Sequence, residues 1–215
     1  MDIYKQIIKD QQIIDLYNNI SILEDKNKGW NHHNLEHAVN VANMAKKMLS
    51  DLGYSQSIIN DTLIAALLHD IGCIEGKDNH PTRSAKMAKI YLKTNNIKLN
   101  NEKMVIEAIR IHSNGFETDN IIAQVLIFAD KLDIKKQRLA KAGYEVDGLK
   151  ETRYINDILV NIDNNQLIIN FIANEKIDKN KLESWYFMPK VFLAINSFAK
   201  KNNLEPLVLL NNKNW

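Results

Sequence analysis

Apolar residues at positions 3, 7, 13, 14, 16 and 20 recur at helical spacing, so the pattern predicts an amphipathic helix over Ile3–Ile22. A charged stretch from Glu24 to Gly29 closes it. A second helix opens after Trp30-Asn-His-His33, takes Asn34 as its N-cap, and runs to about Leu52. A third starts near Ser57 and ends in the apolar run Ala65-Ala-Leu-Leu-His-Asp-Ile-Gly72, with Gly72 as the stop. Pro81 suits the first turn of a fourth, from His80 to about Thr94. Glu102–His112 and Asn120–Asp133 supply two more, parted by a polar turn at Gly115. After about Lys150 the texture changes. Ile158–Ile162 and Leu167–Phe171 are β-rich runs with partial alternation, joined as a hairpin through Asp163–Gln166. A last amphipathic helix spans Leu182 to about Asn202 and holds Trp185, Tyr186 and Phe187 just before Pro189. The expected architecture is all-α: a helical domain over residues 1–150, then a small hairpin-plus-helix appendage over 151–215 that packs on the core.

Composition narrows the setting without changing that picture. A chain of 215 residues is long enough for one domain with a real core. The abundance of Asn and Lys reads as genome composition. The formal net charge of +2 gives no strong bias toward nucleic acid or an anionic membrane, so neither is expected as a partner. One cysteine, Cys73, excludes an internal disulfide framework and fits a reducing compartment. Charges scattered through Met1–Asp10 argue against a signal peptide there. The longest apolar runs, around Leu63–Leu68 and Val125–Ala129, fall far short of a membrane span. A cytoplasmic protein is the expectation.

Chemistry gathers at the helix ends. His69 and Asp70 emerge side by side from an apolar helix, where both cannot face water, and buried polar groups need partners. His37, His80 and His112 each lie on or beside a helix, and Asp130 follows four largely apolar residues. A lone histidine at a helix end is commonly a cap, and Asp130 alone could pair with Arg110 or Arg138. Taken jointly, the six supply nitrogen and oxygen donors suited to zinc, manganese or iron, and the lack of cysteine pairs argues against a structural zinc site.

The order His37, His69-Asp70, His80, His112, Asp130 resembles the HD-domain superfamily of metal-dependent phosphohydrolases, whose signature is a His, an adjacent His-Asp and a downstream Asp on a helical core. Asn34-Leu-Glu-His-Ala38, Leu67-Leu-His-Asp-Ile-Gly72 and Phe128-Ala-Asp-Lys131 are phrased as members phrase them, and the resemblance covers about residues 30–140. It implies that His37, His69, Asp70 and Asp130 bind one divalent metal. His80 and His112 would hold a second, with Asp70 bridging as the central catalytic carboxylate. Iron or manganese is favoured over zinc, magnesium, nickel or cobalt. The implied reaction is cleavage of a phosphoester or phosphoanhydride of a nucleotide or similar small molecule by a metal-bound hydroxide.

A narrower resemblance joins His33-Asn34-x-x-His37-Ala38 to the start of the cyclic-nucleotide phosphodiesterase signature, with His32 where that family has Tyr. It implies that His33 protonates the leaving oxygen; physically, His33 lies one helical turn from His37, and a neutral-range pKa would suit it as the general acid. Arg83, one turn after His80, could clamp a phosphate, with Lys131 and Lys77 as further substrate contacts. Among branches, Ile109-Arg110-Ile-His112 and Ala129-Asp130-Lys131 are similar to bacterial diadenosine tetraphosphate hydrolases. No Gly-Tyr-Pro element points to cyclic di-guanylate, and Glu75 alone does not match the alarmone hydrolases. Two rival readings keep the same residues: a di-iron oxygenase of the same superfamily, and a non-catalytic nucleotide-binding regulatory module. Trp185–Phe187 reads as core, with a homodimer contact as the alternative.

Overall fold

The computed structural model describes residues 3–215; Met1 and Asp2 lie outside the described residues. The first seven helices are α1 (Ile3–Ile7), α2 (Gln11–Lys26), α3 (Leu35–Asp51), α4 (Gln56–Leu68), α5 (His80–Thr94), α6 (Glu102–Ile111) and α7 (Ile121–Leu132). The single helix expected over Ile3–Ile22 is therefore two. Asp10 starts the second by accepting the backbone N–H of Gln12 on Oδ1 at 2.9 Å, as a capping carboxylate does.

Every residue of α4 from Asp61 to Leu68 is buried, so this helix is surrounded rather than laid on a surface. Helix α3 meets it with Ala38, Val41, Ala42, Ala45, Met48 and Leu49, a mostly small stripe that lets the two backbones approach closely. Helices α1 and α6 also pack on α4, and α5 packs on α6 and on a 3-10 turn, Ile71–Glu75. Buried Asp61 ties α4 to the start of α6, accepting from the backbone N and side-chain Nδ2 of Asn101 at 2.6 and 2.9 Å. The stretch Gln56–Glu75 does reach the length and apolar content of a membrane span, with 20 residues and mean hydropathy 1.4, contrary to the expectation that no run does. Its most apolar window is 78% buried inside the fold, which accounts for its composition.

The sequence pattern places the stop of α4 at Gly72. The helix instead ends at Leu68, and the chain tightens into the 3-10 turn with Asp70 at its start. Glycine is needed at 72 for a different reason. A Cβ there would lie 2.5 Å from the backbone N of Ser84 and 2.6 Å from the carbonyl O of His80, so the turn touches α5 backbone to backbone.

The chain divides into two compact units. One takes the chain up to Leu23 together with His33–Asp130; the other takes Glu24–His32 and Lys131–Trp215. In the second, the chain passes through three 3-10 turns, Lys136–Arg138, Lys141–Glu145 and Leu149–Tyr154. Backbone bonds from His32 N to Arg138 O (2.8 Å) and from Ala140 N to Trp30 O (2.9 Å) bring Glu24–His32 into this unit.

The expected hairpin is present as β1 (Ile155–Asp163) and β2 (Gln166–Ala173), antiparallel with Val160 opposite Ile169. Asn164 and Asn165 both have positive φ (45° and 64°), the backbone of the tight turn whose twist matches the strands. Helices α8 (Lys179–Ser184) and α9 (Met188–Lys201) then replace the one helix expected, with Asp178 capping α8 and Pro189 in the first turn of α9. Together they form the crossover that a parallel pairing requires: β3 (Glu205–Leu210) joins β2 in parallel, and β4 (Lys213–Asn214) closes a four-stranded sheet of order β1-β2-β3-β4. Trp185 is buried in this unit, whereas Tyr186 is 67% exposed. Of the eight non-glycine residues with positive φ among the described residues, seven are asparagines. Asn suits these positions because it tolerates the left-handed region better than most other side chains.

Candidate metal centre

Four helix ends converge on one point. The side chain of Asn34 caps α3 by accepting from the backbone N of His37 at 2.9 Å, which fixes His37 on the third helical position, facing inward. His69 and Asp70 follow the last turn of α4, His80 begins α5, and His112 caps α6; Asp130 lies in α7. His37, His69, Asp70 and Asp130 are all buried, and one donor atom from each lies within 4.8 Å of the others. His37 Nε2 is 3.2 Å from Asp130 Oδ1 and 3.5 Å from Asp70 Oδ2, and His69 Nε2 is 3.0 Å from Asp70 Oδ2. On the opposite side of the same carboxylate, Asp70 Oδ1 is 3.4 Å from both His80 Nε2 and His112 Nε2. The six residues singled out in the sequence thus come together, with Asp70 at the middle.

The imidazoles are held by a common device. His69 Nδ1 donates to Ala66 O (2.8 Å), His80 Nδ1 to Lys77 O (2.7 Å) and His112 Nδ1 to Ile109 O (2.8 Å), each to the carbonyl three residues earlier. With Nδ1 protonated, a neutral ring directs the lone pair of Nε2 into the site. His80 Nε2 and His112 Nε2 lie 3.1 Å apart, so with both Nδ1 atoms donating, either a proton or a cation has to lie between them. His69 Nε2 and both carboxylate oxygens of Asp70 are buried and make no hydrogen bond, a costly state unless something else satisfies them. Donors bound to one ion at about 2.0–2.2 Å lie about 3.0–3.5 Å apart, close to the spacings here. The residues fit a divalent metal held by nitrogen and oxygen.

Electrostatics agree. Burial pulls the His69 pKa down, but the carboxylates of Asp70 and Asp130 beside it outweigh burial and raise it to about 10. Burial pushes the Asp70 carboxyl up, yet the charges of His69 and His33 and the contacts of His112 and His37 hold it well below the usual range. His112, whose largest influence is burial, is lowered. In metal-free protein His69 therefore keeps a second proton that a metal must displace. Because the folded pKa is raised, its stabilisation is fully present below pH 6.5 and is lost as pH climbs toward about 10. Over that interval metal affinity is expected to rise about tenfold per pH unit. Calorimetry in buffers of different ionisation enthalpy should count about one proton released per metal at neutral pH, and a pH-independent affinity would contradict this.

The other expected site residues fall differently. The half-buried ring of His33 is 6.1 Å from that of His37 and 6.3 Å from that of His80, at the edge of the cluster. Lys77, with His80, Thr82, Arg110, Ser113 and Asn114, lines a cavity of about 510 Å³ beside the cluster. Arg83 is on the expected face of α5 but donates to backbone carbonyls: Nε to Gly72 O (2.7 Å), one terminal nitrogen to Asp78 O (3.0 Å) and the other to Gly76 O. The phosphate clamp expected of it is replaced by a brace on the loop after Asp70. Lys131 is buried, with its ammonium 6.0 Å from the Phe187 ring centre. Arg110 pairs with Glu107 rather than with Asp130.

Sequence reading passed over Tyr17 and Ser84. Tyr17 is fully buried and donates its hydroxyl to Leu67 O at 2.8 Å, satisfying a carbonyl of the last α4 turn just before His69. Its pKa is well above normal, through burial and then the charge of Asp70. In the sequence Tyr17 is one more apolar-face residue of a helix, so nothing marked it. Ser84 Oγ accepts from Gly72 N at 2.9 Å, seating the turn on α5.

Residues 34–135 match the family model of the HD domain. Over 159 residues the chain is 32% identical to the uncharacterized protein MJ1020 of Methanocaldococcus jannaschii, a match that covers 63% of this chain and 61% of that protein.

Proposed function

We propose that this chain, whose residues 34–135 match the HD-domain model, is a metal-dependent phosphohydrolase acting on a phosphoester or phosphoanhydride of a nucleotide or similar small molecule. The observation that carries the reading is Asp70, whose two buried oxygens face separate histidine groups, His37 and His69 on one side and His80 and His112 on the other. In this reading His37, His69, Asp70 and Asp130 hold one ion, Asp70, His80 and His112 hold a second, and both are iron or manganese. When bound, such ions supply a strong nucleophile at neutral pH and positive charge for the phosphoryl oxygens.

The chain's own residues do the rest. His33 donates its proton to the leaving oxygen as water adds to phosphorus and the P–O bond to the leaving group breaks. Lys77 and the Thr82 and Ser113 hydroxyls in the adjoining cavity bind the part of the substrate that does not react, which fixes its orientation. The brace from Arg83 keeps the loop after Asp70 in place while this happens.

The test is metal analysis of protein purified without chelators, followed by a panel of phosphomonoesters, phosphodiesters and nucleotides. Metal with hydrolysis supports the reading, whereas folded, metal-free, inactive protein removes it. Oxygen uptake by iron-loaded protein without phosphate release would select the oxygenase alternative, and nucleotide binding without turnover the regulatory one. His33→Ala should lower kcat about 100-fold on substrates with poor leaving groups and much less on activated ones, with metal content unchanged. Equal losses on both substrate types would place His33 outside proton transfer.

A further inference from the structure

The 3-10 turn that follows His69-Asp70 carries the chain's one cysteine. Cys73 N donates to Asp70 O at 2.9 Å, so Cys73 lies one tight turn beyond the central carboxylate. Its side chain is buried, and its sulfur, an oxygen of Asp70 and a ring nitrogen of His80 all lie within 4.8 Å of one another. A buried cysteine usually acts as a small apolar residue. Here its neighbours are polar: Asp70 is 1% exposed and makes no hydrogen bond on either oxygen, and Asp70 Oδ1 is 3.4 Å from His80 Nε2.

We propose that Cys73 is a sulfur donor to the cation held by Asp70 and His80, so that of the two metals proposed above this position takes the more thiophilic, ferrous iron, and accepts zinc or cobalt as substitutes. The proposal rests on reading Asp70 as a metal ligand. It adds a soft donor to an otherwise hard nitrogen and oxygen set, which shifts selection away from magnesium. As the sulfur–metal bond forms, the thiol proton passes to solvent and nothing is oxidised or reduced. The two halves of the centre then differ in kind, one all nitrogen and oxygen, the other with sulfur.

Cobalt(II) added to the metal-free full chain provides the probe. Because the chain has one cysteine, a thiolate-to-cobalt charge-transfer band in the near ultraviolet can come only from Cys73. The expected result is that band together with the visible ligand-field bands. Cys73→Ser and Cys73→Ala should keep visible bands from the other position, lose the near-ultraviolet band, and bind the second cobalt at least about tenfold more weakly. Visible bands without the charge-transfer band in the unaltered protein would overturn the assignment and leave the metal centre standing. A charge-transfer band that survives in Cys73→Ser would overturn it too. No cobalt uptake at all would remove both the assignment and the reading beneath it. Should the variants fail to fold, X-ray absorption on the unaltered protein decides: a sulfur neighbour at about 2.3 Å supports the proposal, and a shell of nitrogen and oxygen alone overturns it.

Discussion

Asp70→Ala is expected to lose both metal equivalents and to lower hydrolytic activity by about 1,000-fold or more, while the protein stays folded. Removing a ligand that serves one ion should cost one equivalent; removing the carboxylate between two histidine groups should cost both. Survival of the fold follows from the charges. The His69 pKa is held near 10 chiefly by Asp70 and Asp130 against burial that pulls it down. Without Asp70, His69 still faces the Asp130 carboxylate at 3.8 Å, so no isolated charge need be left in the core. Metal analysis, circular dichroism and the phosphoester panel on one preparation would check this. His112→Ala is the comparison, expected to retain one equivalent. Full metal content in Asp70→Ala would sink the assignment of its role.

Gly72→Ala is expected to destabilise the fold by about 1–3 kcal/mol and to disturb the second metal position selectively. The added Cβ would press on Ser84 N at 2.5 Å, His80 O at 2.6 Å and Ser84 Oγ at 2.8 Å, and two of these are backbone atoms that cannot rotate aside. Relief requires α5 to move from the turn, and α5 begins with His80. The same shift would strain the bonds from Ser84 Oγ and Arg83 Nε that seat the turn. A lower urea midpoint, with one metal equivalent lost and one kept, is the predicted outcome. Unchanged stability and metal content would show that the turn and helix can part without consequence.

The donors of the centre were legible because each requirement is local. A carboxylate or imidazole at the end of an apolar helix stands out against its neighbours, as His69-Asp70 and Asp130 do, and the order of the motifs carried the resemblance. Arg83 was legible in position but not in task. Its spacing from His80 put it on the right face, yet its partners are the carbonyls of Gly72, Gly76 and Asp78, set by a loop conformation that spacing does not encode. Gly72 showed a similar limit, since a glycine after an apolar helix suggests a stop, and only the approach of α5 reveals the need for close contact. The C-terminal strands escaped notice because β3 pairs in parallel with β2 across two intervening helices. Such pairing leaves little local trace, whereas the β1–β2 hairpin, joined by two asparagines, did.

The carbonyl tethers on three of the histidines bear on which cation the centre admits. Rings already fixed at Nδ1 lose little rotamer freedom when an ion arrives, so less of the binding free energy goes into ordering them, a saving of about 0.5–1.5 kcal/mol for each mobile side chain avoided. A preorganised cage of this kind is intolerant of size. With a metal bound, it would not swell to the six to eight oxygen ligands at about 2.3–2.6 Å that calcium prefers, and the helix ends that shape the site would then screen its occupants by radius.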